Sequence, residues 1–145
     1  MDSYQLVRAL AGIFLLIQAI MDKRKMKVSL ILSVVAGALG IIIRIIYSES
    51  LIGIFFSVLV GVLFIALSVV TRQGIGLGDG IVLAAVGFLL GLRACLIISM
   101  FGCIYACIYA IILLVIKKKE YKFSFAFVPF ITLGYTTLMC LEKCP

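Results

Sequence analysis

The chain has 145 residues, of which 66% are hydrophobic and 13% charged, and a formal net charge of +7. A soluble domain carries roughly a quarter charged residues, so this much apolar surface in so short a chain excludes a water-soluble fold and calls for a bilayer. The basic residues cluster in short connections between apolar runs, which marks cytoplasmic loops rather than a nucleic-acid surface, and with no His present an ordinary zinc site has no imidazole ligand.

Charge clusters divide the chain into six predicted helices, at about 4–21, 28–47, 51–71, 80–92, 94–116 and 125–141. The expected fold is therefore all-α, a polytopic six-helix transmembrane bundle forming one domain over residues 1–145. Backbone polar groups cannot face lipid unpaired, which demands helices, and the period-two alternation of a membrane barrel is absent. The first apolar run is followed by five more, so it is expected to remain rather than be removed as a signal peptide.

The fourth segment is short enough to be re-entrant, and charge parity decides how it is read. If all six segments cross and the N-terminus is outside, Lys23, Arg24, Lys25, Lys27, Arg72, Lys117, Lys118, Lys119 and Lys122 share one face. Arg8, Arg44, Arg93 and Lys143 take the other. The richer face is cytoplasmic by the positive-inside rule, so the chain is expected in the cell membrane with both termini outside.

Gly37, Gly40, Gly53, Gly61, Gly87 and Gly91 fall within or beside the spans, where small residues let helices approach closely. The five cysteines, Cys95, Cys103, Cys107, Cys140 and Cys144, form no CxxC and read as small packing residues. A disulfide from Cys95 to Cys140 or Cys144 is left open.

Six acidic residues occur, and Asp2, Glu49, Glu120 and Glu142 lie near the termini or in short connections. Asp22 closes the first predicted span, and Asp79 opens the fourth on the same side. Taken alone, Asp22 is a boundary residue beside Lys23, Arg24 and Lys25, and Asp79 is a helix N-cap. Together they are two carboxylates at one membrane depth, where acidic groups are costly and tend to be functional. Gly74, Gly76, Gly78 and Gly80 surround Asp79, and glycine allows close backbone approach. A phosphate loop would need Lys followed by Ser or Thr, and a dinucleotide fingerprint would need a preceding strand.

Gly76-Leu77-Gly78-Asp79 resembles the GxGD motif of the type IV prepilin peptidases and archaeal preflagellin peptidases, a short motif shared with presenilin-type proteases. Asp22-Lys23-Arg24 is similar to the first catalytic Asp of that family with its basic neighbours. Pro129-Phe130, with Leu133-Gly134, resembles its last span. The pattern departs at Met26-Lys27-Val28-Ser29, where many members carry Ile-Pro-Asn, and at Ile81, where many carry Lys. Larger members add an N-terminal cytoplasmic domain with CxxC pairs and methylating activity, neither of which is expected here.

The resemblance implies an aspartic endopeptidase that cleaves the basic leader of prepilin-like precursors at the cytoplasmic membrane face, as part of type IV pilus biogenesis. Asp22 and Asp79 would be catalytic, Gly76, Leu77, Gly78 and Gly80 the active-site loop, and Pro129 and Phe130 candidate substrate-channel residues. No cofactor or metal is expected. The partners are a prepilin-like peptide and the lipid bilayer, with no nucleic acid, and the oligomeric state is left open. Placement at opposite kinds of helix end assigns Asp79 as base and Asp22 as acid. Two readings from other classes stand beside this one. The chain could be a small ion-coupled transporter using intramembrane carboxylates, or a membrane subunit without chemistry.

Overall fold

Long apolar runs free of internal Pro satisfy their own backbone only as helices. A computed structural model describes residues 3–25, 28–46, 51–70, 76–117 and 127–143, and no strand occurs among them. The helices are α1 (Ser3–Lys25), α2 (Leu30–Ile46), α3 (Leu51–Ser57), α4 (Leu59–Val70), α5 (Leu77–Leu90), α6 (Leu92–Lys117) and α7 (Val128–Lys143). Gln5–Lys23, Ile52–Val70 and Leu92–Leu113 are long and apolar enough to cross a membrane, while Leu30–Ile46, Leu77–Leu90 and Val128–Glu142 are apolar but shorter.

The distribution of polarity is inverted relative to a water-soluble protein. Ile31, Phe55, Val70 and Val115 each expose more than 70% of their surface, whereas Gln18, Asp22, Ser33, Ser57, Ser68 and Asp79 are buried. Such an apolar exterior suits lipid and would aggregate in water. Each buried side-chain nitrogen or oxygen among the described residues has a hydrogen-bond partner, as a low-dielectric interior requires.

α5 is the central helix. It packs on α1, α2, α4 and α6 and is buried around most of its circumference, including Val82, Leu83, Val86 and Leu89, so it lacks an apolar stripe of the amphipathic kind. Small residues on both sides let α3 and α4 come close to it. A Cβ on Gly61 would stand 2.5 Å from Ala84, and one on Gly87 would meet the Ser57 carbonyl. α7 packs on α1 and α6. There the Tyr135 hydroxyl donates to the Arg8 carbonyl at 2.7 Å, and Arg8 pairs with Glu142 at 2.7 Å.

Several expected boundaries move, each for a local reason. The segment expected to be one helix over 51–71 is broken at Val58. The Ser57 hydroxyl takes the Ile54 carbonyl at 2.6 Å, and the Val58 N–H turns instead to the Phe55 carbonyl at 3.4 Å. A hydroxyl competing for backbone in this way weakens a helix locally. Arg44 donates to the same Ser57 hydroxyl at 2.7 Å. The fourth segment begins at Leu77 rather than Gly80 and ends at Gly91, whose φ of +87° is a helix stop that suits glycine. Gly91 is therefore a C-cap, not a packing residue. The last helix begins at Val128, with Pro129 in its first turn, where its missing N–H costs nothing. Residues 125 and 126, Gly74, Cys144 and the basic cluster at 118–122 lie outside the described residues. Cys95 and Cys140 are free thiols, so no disulfide joins them. The Cys95 Sγ instead donates to the Leu83 carbonyl at 3.3 Å, tying α6 to α5.

Candidate active site

One end of the bundle gathers the C-terminal part of α1, the residues before α2, the end of α4, and the first turns of α5 and α7. α1 does not stop at Met21 but runs to Lys25, so Asp22 begins its last turn. Ala11, Leu15, Gln18 and Asp22 follow one another at helical spacing and are all buried. This places a carboxylate on the face of α1 that packs into the bundle.

Asp22 is 5% exposed, and its Oδ2 accepts the Val128 N–H at 3.2 Å. The Phe127 N–H is a second donor. These are the orphan donors at the start of α7, so a residue of α1 caps a helix more than a hundred positions away, where backbone dipoles favour an acceptor.

Asp79 is 8% exposed and sits at the third position of α5. It is not the N-cap, a place that Gly76 takes with extended φ and ψ of −64° and 127°. A backbone hydrogen bond from Gly76 reaches back to the Asp79 carboxylate, which is the return half of a capping box. Asp22 lies within electrostatic reach of Asp79. The structure thus brings together the two carboxylates singled out in the sequence. Both meet N–H donors at the start of a helix, and Asp22 lies as well in the last turn of α1.

The glycines around Asp79 answer to three different neighbours. A Cβ on Gly76 would lie 2.9 Å from Asp79 Oδ2. One on Gly78 would lie 2.9 Å from the Val28 side chain, just before α2. One on Gly80 would lie 2.6 Å from Ile65 Cγ1 and 2.9 Å from the Ile65 backbone nitrogen on α4. Leu77, between the first two, is exposed and meets no such limit.

Pro129 and Phe130 stand in the first turn of α7, next to the Val128 that Asp22 caps. Both are half-buried, and the Phe130 ring packs on Tyr109 of α6 with centroids 5.3 Å apart. Phe127 stacks on Phe64 of α4 at 6.1 Å, closing another side of this end. Among the described residues no three His, Cys, Asp or Glu side chains gather.

Gln18 was not singled out in the sequence. It is wholly buried one turn before Asp22 and donates to the Ser29 carbonyl at 2.9 Å and to Ser33 Oγ at 2.8 Å. Its Oε1 accepts the Ser29 N–H at 3.1 Å. The available signal was an amide inside an apolar span, spaced i, i+4 from a carboxylate.

Fold and site define a helical membrane protein with two acidic side chains buried at one end of its bundle. The profile of the type IV leader peptidase family matches residues 9–111, a stretch that includes both Asp22 and Asp79. The chain belongs to the type IV leader peptidase family and is a protease of that kind. No curated protein and no solved structure gave a match.

Proposed function

We propose that the chain is a GxGD-type aspartic endopeptidase, a single-domain six-span protein of the cell membrane that removes the basic leader from type IV prepilin-like precursors at the cytoplasmic face. The observation that carries this reading is that Asp22 and Asp79 are both buried at one end of the bundle and within electrostatic reach of each other, although 57 positions apart in the chain. Like charges so placed cannot both ionise easily, and a shared proton leaves one carboxylate to activate water and the other to polarise the scissile carbonyl. Protons then belong to the pair, and either member can serve as base.

The same end of the bundle carries Lys23, Arg24 and Lys25, and the opposite end carries Arg8, Arg44 and Arg93. With Lys27, Arg72, Lys117, Lys118, Lys119 and Lys122 of the sequence counted on that side, the positive-inside rule supports a cytoplasmic site and both termini outside. The Gly-flanked first turn of α5 and the half-buried Pro129 and Phe130 offer a border along which an extended peptide can lie beside the carboxylates.

The test is purified protein with a prepilin-like peptide. Asp22→Asn and Asp79→Asn, each still folded, are expected to lower kcat by at least about a thousandfold, the loss of a proton-transfer partner or of water activation. Cleavage persisting at wild-type rate in either variant refutes the dyad.

A further inference from the structure

Gln18 is wholly buried and makes three hydrogen bonds. Its amide holds both backbone groups of Ser29 and the hydroxyl of Ser33, which in turn donates to the Ser29 carbonyl at 3.1 Å. One rigid side chain on α1 therefore fixes the residue immediately before α2. Val28, its neighbour in the chain, packs over Gly78, the residue preceding Asp79, where a Cβ would stand 2.9 Å from the Val28 side chain. Gln18 and Asp22 share a face of α1 one helical turn apart. A continuous set of contacts therefore runs from the helix that carries one carboxylate, through Ser29 and Val28, to the first turn of α5, which carries the other.

We infer that Gln18 is a positioning residue that sets the placement of Asp79 against Asp22, acting through Ser29 and Val28 on Gly78. The inference rests on the dyad reading above. The hydrogen bonds of Gln18 go to Ser29 and Ser33 and not to either carboxylate. Its effect is geometric, on the step in which both carboxylates act on one water and not on peptide binding. Catalytic rate falls steeply when reacting groups are displaced by an ångström.

The experiment measures kcat and KM on a prepilin-like peptide, with thermal melting in detergent, for Gln18→Met, Val28→Ala and the double variant. Gln18→Met keeps the volume and removes the three hydrogen bonds. Expected are a kcat reduced about 10- to 100-fold, a KM within about twofold of wild type, and a double variant no worse than the more damaging single one. That non-additivity marks a shared route, which loss of packing alone does not produce. Unchanged kcat in Gln18→Met, or losses that simply multiply, overturns the inference. Should Gln18→Met not fold, Ser33→Ala, which removes one acceptor from the amide, and Val28→Ala carry the test, and unchanged kcat in both overturns it. Asp79→Asn is the control: activity lost there and intact in Gln18→Met sinks the positioning role alone, whereas activity surviving Asp79→Asn sinks the dyad reading and this inference together.

Discussion

Gly76→Ala and Gly80→Ala are the same chemical change four residues apart, and the structure separates their consequences. At Gly76 the added methyl meets Asp79 Oδ2 at 2.9 Å and Cγ at 3.4 Å. The backbone there is extended and open to alanine, so the carboxylate gives way by about 0.5 Å to restore ordinary contact. A displacement of that order costs about 10- to 100-fold in kcat, while the poorer N-cap costs up to about 1 kcal/mol of stability. At Gly80 the methyl meets backbone, with the Ile65 nitrogen at 2.9 Å and the Gly61 carbonyl at 3.1 Å. Neither can swing aside, so α4 and α5 must separate, at about 1–3 kcal/mol. Gly76→Ala should thus melt within a few degrees of wild type and cleave poorly, whereas Gly80→Ala should melt markedly lower. Melting in detergent and kcat on a leader peptide measure both. Wild-type kcat in a folded Gly76→Ala protein would show that the glycine does not protect the carboxylate's position and would refute the reasoning.

Asp22→Ala should be less stable than Asp22→Asn by about 1–3 kcal/mol, because only Asn keeps an acceptor for the Val128 N–H; equal melting temperatures would remove the cap on α7. Arg44→Met should cost about 1.5–3 kcal/mol through loss of the charged bond to Ser57 at 2.7 Å, whereas Glu142→Gln, at a half-exposed pair, should cost less than about 1 kcal/mol. In a cysteine-free protein reconstituted in vesicles, Lys23→Cys and Arg93→Cys should react with a membrane-impermeant maleimide from opposite sides. Labelling of both from one side would refute the proposed topology.

The helical class and the burial of Asp22 and Asp79 at one end of the bundle were legible because they follow from apolar run length and charge placement. What escaped the sequence depends on contacts between distant residues. The break at Val58 needs the Ser57 hydroxyl to take the Ile54 carbonyl, with Arg44 behind it, and no pattern in 51–71 marks that. The start of α5 at Leu77 escaped because a Gly-rich run reads as loop, although Gly76 is an acceptable N-cap. The capping of α7 by Asp22 joins α1 to the far end of the chain. Gln18 was visible as a polar residue in an apolar span, yet its partners Ser29 and Ser33 became apparent only once α2 folded back on α1.

The spacing of the motif has a geometric basis that its short form conceals. Residues of a helix step round the axis by roughly 100°, so Gly78 and Gly80 point about 200° apart, to nearly opposite sides of α5. One side receives Val28 at the start of α2, and the other receives the backbone of α4 at Ile65. Asp79 falls between them in the helical sequence of directions, within electrostatic reach of Asp22 on α1. A side chain at either glycine would push a neighbouring helix away. Gly76 completes the arrangement from below by leaving room for the carboxylate over its own Cα. The glycines therefore act chiefly through the helices they admit, and the free position, Leu77, is the one that faces outward.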